Sequence, residues 1–297
     1  HHYAYTLAKA LVEANQERYP REAIEKILKE LNSIPPKRGW FTKTYCEEAR
    51  FFQPKNGERI EAIREYIEEK YSEDDTLKAI LLTSLMLAAD KVDSTTGVQM
   101  AFLKTWAPRS FNDLRLEYPP ILPGEGKAIL GDAIEVAPQV EAEIAYLDPP
   151  YNQHSYLGNY HIWETLVLWD NPKTYGVARK REDTRTRKSP FNSKKLAKKA
   201  LEQVVFGLRS EHVVLSFNNE GFLGKREIEE MMKERGYLVV ISKRYRRYVG
   251  SLIGVYNHLG ELVGEVSHTE NREYLFISTS SKKVYDSLSQ IGERLSD

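Results

Sequence analysis

The chain has 297 residues, 41% hydrophobic and 29% charged, enough to fill the core of one large domain or two modest ones. Its 43 basic and 43 acidic residues cancel, so a nucleic-acid partner has to be met by a local basic surface and not by overall charge. The single Cys46 excludes an intramolecular disulfide framework and a cysteine zinc cluster, which fits a reducing, cytoplasmic location.

Residues 4–14, AYTLAKALVEA, read as helix, and His1 and His2 before them read either as native residues or as a tag remnant. In EAIEKILKELN the apolar Ile24, Ile27, Leu28 and Leu31 fall at helical spacing, and Pro35–Pro36 ends the element. Ile60, Ile63 and Ile67 repeat the pattern. The run LKAILLTSLMLAA at 77–89 is too short to span a bilayer and reads as a buried helix closed by Asp90 and Lys91. YPPILPGEG at 118–126 marks a change of texture and the best domain boundary. After it, KAILGD, EIAYLD, VVLSF, YLVVISKRY and EYLFIST read as short strands. NYHIWETLVLW, SKKLAKKALEQVVFGL and REIEEMMKERG read as amphipathic helices between several of them. That alternation predicts an α/β domain, closed by a helix in KKVYDSLSQIGERL.

The segment EIAYLDPPYNQHSY carries the clearest chemistry. Pro149 and Pro150 lack the N–H needed to continue a strand, so Asp148 is held at a strand end, where open α/β sheets bind ligands. A carboxylate and a proline carbonyl are both acceptors and suit a planar NH2 group, while Tyr151 offers that group's ring a stacking face.

These residues, together with FTKTYCEEARFFQPKNGERIEAIR, LAADKVDSTTGVQMAFLK, YLDPPYNQHSYLGNYHIWETL and LSFNNEG, resemble the D12 class of adenine-specific DNA methyltransferases, in particular its FokI-methylase-like members. The resemblance covers roughly residues 1–280. DPPY by itself is less specific, since rRNA guanine methyltransferases and glutamine methyltransferases carry it or NPPY; the ordered set of blocks is what makes the match strong. It implies a Rossmann-like sheet that uses S-adenosylmethionine and carries a mainly helical insert. The expected division is residues 1–15 as a helix of the catalytic core, 16–120 as the helical target-recognition insert and 121–297 as the catalytic domain.

By the same resemblance, Asp148 and the Pro149 carbonyl accept hydrogen bonds from the adenine amino group, with Pro150 and Tyr151 completing the catalytic motif and Tyr151 stacking on the base. A paired, stacked adenine is out of reach of such a pocket, so the base has to be flipped out of double-stranded DNA. Asp132 matches an acid that contacts the cofactor's adenine, with Asp148 the second cofactor residue. Tyr156, Tyr160 and His161 are candidate walls of the base pocket, and Asn218 and Asn219 should pass near the same base.

Each has an ordinary reading beside the functional one. Asp148 could cap a strand end and Asp132 a turn; Tyr156, Tyr160 and His161 could be packing residues, and the two asparagines could simply build a turn before Gly221. The basic stretch 178–199 has the texture of a solvated, mobile loop leading into a helix. Within it Arg179, Lys180, Arg181, Arg185, Arg187 and Lys188 form a candidate DNA-backbone clamp, and KRYRRY at 243–248 is a second candidate.

The family's glycine-rich loop after the first strand, and the acid ending the second strand, are not visible in this sequence. The N-terminal strands of the sheet are therefore expected to be missing, with an exposed apolar sheet edge near the N-terminus. The sources left open are a truncated chain, a split enzyme whose second polypeptide supplies the glycine loop, and a degenerate DNA-binding remnant. An rRNA base methyltransferase is the alternative activity.

Overall fold

The computed structural model describes residues 1–246, 255–256, 262–264 and 270–295. These form two compact units: residues 1–130 with 156–187, and 131–155 with 188–297.

The first unit is helical. Helix α1 (His2–Ala8) runs into a wider turn over Lys9–Glu13, followed by α2 (Arg21–Ser33), α3 (Pro54–Tyr71), α4 (Asp75–Asp90) and α5 (His161–Leu168). α2 buries Ile24, Leu28 and Leu31, one apolar stripe of an otherwise charged helix. α4 is apolar on nearly every side and is accordingly buried from Ala79 to Ala89 except at Leu87. Its first turn is held by Asp74, whose carboxylate accepts from the amides of Thr76 and Leu77 at 3.1 and 2.9 Å. Arg64 on α3 is buried and closes the C-terminal end of α5. Its guanidinium donates to the carbonyls of Leu166 and Val167 at 2.7 and 3.0 Å, where the last carbonyls of a helix lack partners of their own.

This unit takes in residues 1–15, which the sequence assigns to the catalytic core, together with 156–187. The reason is burial: Tyr3, Ala10 and Ala14 belong to the same core as Ile162, Trp163 and Leu166. The linker lies along the first helical segment, Leu122 N–H donating to the Leu11 carbonyl at 2.8 Å. The expected strand KAILGD does not form. Ala128 N–H is taken by the Glu13 carboxylate at 2.8 Å, and a strand needs a neighbouring strand to use its amides.

The second unit is a sheet between helices. Strands β1 (Glu141–Leu147), β2 (Arg209–Asn218), β3 (Tyr237–Arg246) and β4 (Glu270–Thr279) lie in the order β1-β2-β4-β3, with β1 parallel to β2 and β4 antiparallel to both its neighbours. A short ladder pairs Val255–Tyr256 with Leu262–Gly264. Val213, Leu215, Phe217 and Phe276 turn to one face, where they meet Leu201, Val204 and Val205 of α6 (Ala197–Gly207) and Ile228, Met231 and Met232 of α7 (Lys225–Lys233). Helix α8 (Lys282–Leu295) packs against β3, with Tyr285 stacked on Tyr237 at 5.2 Å.

Strand β1 is an edge of this sheet, its outer side unpaired among the described residues. Ile144 and Tyr146 on it are about 60% exposed, so an exposed apolar sheet edge is present, and it lies at β1. Among the described residues no helix is long and apolar enough to cross a membrane.

Candidate active site

The parallel pairing of β1 with β2 sets Leu147 opposite Leu215, so the C-terminal ends of both strands open on the same side of the sheet. Asp148 is the next residue of β1's chain and is exposed there, with Pro149 and Pro150 half-buried behind it. The two prolines end the ladder and leave the carboxylate facing solvent.

The next residues are pinned. The Tyr151 carbonyl accepts from Phe222 N–H at 2.8 Å, and its ring meets Phe217 edge-on with centroids 5.8 Å apart. The side-chain amide of Asn192 donates to the carbonyls of Asn152 and His154, while Asn152 Oδ1 accepts from His154 N–H. A motif with no regular structure is thereby given one conformation.

On the neighbouring strand, SFNNEG leaves β2 as a turn. Asn218 is buried, its Oδ1 accepting from Glu220 N–H at 3.0 Å, and Asn219 exchanges two bonds with the backbone of Arg272 at 3.1 and 2.8 Å. Asn271 Nδ2 reaches Glu220 Oε2 at 2.8 Å. Gly221 is required by space: a Cβ there would lie 2.2 Å from the Phe217 ring. No motif in the sequence singles out Glu273, which pairs with Asn218 across β2 and β4. Burial holds its carboxyl above the usual range, the Asn218 hydrogen bond pulls it down, and the charge of Asp148 raises it again.

Asp132 belongs to this unit too. It is exposed and caps the short helix Ala133–Val136, one carboxylate oxygen accepting from Ile134 N–H at 2.9 Å. Asp132, Asp148, Pro149, Pro150, Tyr151, Asn218 and Asn219 therefore share one compact unit, whereas Tyr156, Tyr160 and His161 belong to the other.

In that helical unit Tyr156 is 41% exposed and stacks on Tyr160, with ring centroids 6.4 Å apart. His161 is fully buried beside Tyr45 and Phe51. Its Nε2–H donates to the Gln99 carbonyl at 3.0 Å, and burial pushes its pKa down to about 3. The expectation that His161 walls the base pocket is thus corrected: it is a neutral core residue.

The basic stretch also divides. Thr174–Tyr175 and Lys180–Arg181 form a two-residue hairpin, so this region has regular structure where the sequence suggests a mobile loop. Arg181 is buried, bidentate to Asp170 at 2.7 Å and bonded to Asp183 at 3.1 and 3.2 Å. Burial works against its charge, but these two acids more than offset that and raise its pKa. A guanidinium so enclosed cannot reach a phosphate, which removes Arg181 from the clamp. Arg187 bonds the buried Glu164 and Asp183, both at 3.0 Å; Arg179 pairs with Glu48 at 3.2 Å; and Arg185 lies over the Tyr175 ring at 3.9 Å. In the second candidate, Lys243, Arg244 and Tyr245 are exposed on β3, and 247–248 lie outside the described residues.

Comparison with known proteins identifies a family. The profile of the D12 class N6 adenine-specific DNA methyltransferases covers residues 1–221. The chain is 30% identical over 253 residues to the type II methyltransferase M.NlaIII of Neisseria lactamica, covering 82% of this chain and 74% of that protein. It is 28% identical to the modification methylase StsI of Streptococcus sanguinis, over 95% of this chain and 47% of that one. With the type II methyltransferase M.FokI of Planomicrobium okeanokoites it shares 31% over 68% of this chain and 31% of that one. It thus spans less than half the length of the latter two. No solved structure matches it. The chain belongs to the D12 class of N6 adenine-specific DNA methyltransferases.

Proposed function

We propose that this chain methylates the exocyclic amino group of a flipped adenine at a specific site in double-stranded DNA, as the modifying half of a restriction-modification pair. The observation that carries this reading is the placement of Asp148 at the C-terminal end of β1, in the same unit as Tyr151 and the latched SFNNEG turn.

The Asp148 carboxylate and the Pro149 carbonyl accept the two amino hydrogens. That draws the nitrogen's lone pair out of conjugation with the ring and directs it outward as a nucleophile. Tyr151, its ring fixed by Phe217, supplies a stacking face for the base. After transfer the nitrogen sheds a proton, which Asp148 accepts.

The donor set fits S-adenosylmethionine in one respect: Asp132 and Asp148 are both exposed acceptors, suited to the amino and hydroxyl groups of an adenosine. When bound, that cofactor supplies the electrophilic methyl group. Asp132, with one oxygen engaged in its cap, keeps the other for the cofactor's adenine.

For the DNA backbone, Lys180, Arg185 and Lys188 remain the best clamp candidates, and the helical block 16–120 is the target-recognition candidate. The test is transfer of labelled methyl to duplex DNA and to ribosomal RNA, compared between the wild type and Asp148→Ala. Label in adenine of DNA, lost in the variant, supports the reading; label in ribosomal RNA alone overturns it.

A further inference from the structure

The alternation of side chains across the sheet puts a second carboxylate on Asp148's side of it. Ala145 and Leu147 of β1 turn to the face covered by α6 and α7, as do Leu215 and Phe217 of β2 and Tyr274 and Phe276 of β4. Asp148 follows on the other face. There it shares the surface with Ser216 and Asn218 of β2, with Leu275 and Glu273 of β4, and with Lys243 of β3, which lies directly opposite Glu273. Asn218 stands on the strand between the two acids.

From this register we infer that Glu273 is a positioning residue for methyl transfer: it fixes the Asn218 amide and adds a second negative charge to the face on which Asp148 sits. The inference rests on the reading of the Asp148 strand end as the site of amino-group methylation.

The Asn218 amide has two ends, and its oxygen is committed. Its Oδ1 accepts the Glu220 amide, which leaves Nδ2 as the donating end, and Glu273 stands directly opposite across β2 and β4. Rotating the amide would set oxygen against carboxylate and nitrogen against an N–H donor, which disfavours the flipped form. The orientation is thereby fixed before any base arrives. The second role is electrostatic. In the transfer a neutral amino nitrogen forms a bond to the methyl carbon as the carbon–sulfur bond breaks, its electron pair staying on sulfur. Positive charge moves from sulfur to nitrogen. A second carboxylate on the face that carries Asp148 favours that movement.

The charged groups around Glu273 are consistent with this. Asp148 and burial both disfavour its ionised form, the Asn218 bond favours it, and Lys243 faces it from β3. Of its chain neighbours, Arg272 gives its backbone N–H to Asn219 and its guanidinium to Ser242 Oγ at 3.2 Å, and Asn271 gives its amide to Glu220. Glu273 therefore takes up a proton at higher pH than an ordinary glutamate.

Two measurements on the whole chain test this. In a carbon-13 titration of side-chain carboxyls, with the Glu273 signal identified by its loss in Glu273→Gln, Asp148→Asn should lower the Glu273 midpoint; an unmoved midpoint overturns the coupling whether or not the protein is active. In methyl transfer to duplex DNA, Glu273→Gln keeps an acceptor for Asn218 but loses the charge. It should lower kcat about ten-fold, with KM for DNA little changed, and remove one ionisation from the acid side of the pH profile. Glu273→Ala should lower kcat further. A Gln variant with wild-type kcat and profile overturns the inference. So does equal loss in both variants accompanied by a fall in thermal stability, which would mark a merely structural residue. A wild type that transfers no methyl to DNA refutes the proposed function, while the titration still decides the coupling.

Discussion

The side-chain amide of Asn192 donates to the carbonyl of Asn152 at 2.8 Å and, with its second hydrogen, to that of His154 at 3.0 Å. Asn192 is itself held in a single 3-10 turn, Pro190–Asn192, whose start is capped by Ser189. One side chain thus fastens the segment after Asp-Pro-Pro-Tyr to a distant part of the chain. Asn192→Ala removes both bonds, of which the one to His154 is exposed to solvent and contributes little to folding. Because the segment is partly exposed, the loss should fall on geometry more than on folding. The expected result is a drop of about ten-fold in methyl transfer with a melting temperature close to wild type. Wild-type turnover would show that the motif holds its shape without Asn192.

Asp148 is exposed at the end of β1 and makes no core contact. Asp148→Ala should abolish methyl transfer and leave the far-UV circular dichroism spectrum unchanged. Tyr151 separates stacking from hydroxyl chemistry. Tyr151→Phe should be mild, whereas Tyr151→Ala should lose about 1–3 kcal/mol of base binding, measured with an oligonucleotide carrying the unpaired target base. Equal damage from both variants would assign the role to the hydroxyl.

The basic stretch now yields opposite predictions for residues only a few positions apart. Neutral replacements of Lys180, Arg185 and Lys188 should weaken binding to all DNA sequences alike and flatten its salt dependence, as phosphate contacts require. Arg181→Ala should instead destabilise the helical unit by about 1–3 kcal/mol, because it removes a buried guanidinium and its charged hydrogen bonds to the partly exposed Asp170 and Asp183. Denaturation and salt titration on the same variants distinguish the two roles.

What the sequence revealed and what it hid follow physical lines. The strand ends, the helical block and the Asp-Pro-Pro-Tyr strand end are written in local signals: apolar periodicity, two prolines, an acid at the end of an apolar run, though that run, read as buried, lies exposed on the edge strand β1. His161 is misleading for the opposite reason. Its neighbours in the chain suggest a pocket, but its burial depends on Gln99, Tyr45 and Phe51, and no local pattern announces those contacts. KAILGD has the composition of a strand, yet pairing depends on a neighbour, and its amide goes to Glu13. Glu273 is invisible for the same cause: only the register of β2 against β4 brings it to Asn218.

Glu164 carries the last prediction, which concerns acid stability. It is a fully buried carboxylate on α5, receiving Tyr3 N–H at 3.1 Å, the His2 ring at 3.1 Å and Arg187 at 3.0 Å. Burial alone would raise its pKa; the Tyr3 amide, His2 and Arg187 outweigh it, and the carboxyl lies below its ordinary value of 4.5. A group whose pKa is lower folded than unfolded binds fewer protons in the native state. Its contribution is therefore complete above about 4.5 and is lost as pH falls through the lower, native value. Glu164→Gln keeps an acceptor for Tyr3 but loses the charge opposite Arg187, so it should cost about 2 kcal/mol at neutral pH. In acid the wild-type carboxyl is itself protonated and resembles the amide. The gap between the two proteins should accordingly begin to close as pH falls below about 4.5. Urea denaturation of both at pH 7, 5 and ~3.5 measures it. A gap that stays constant with pH would mean that the charge of Glu164 contributes nothing to the fold.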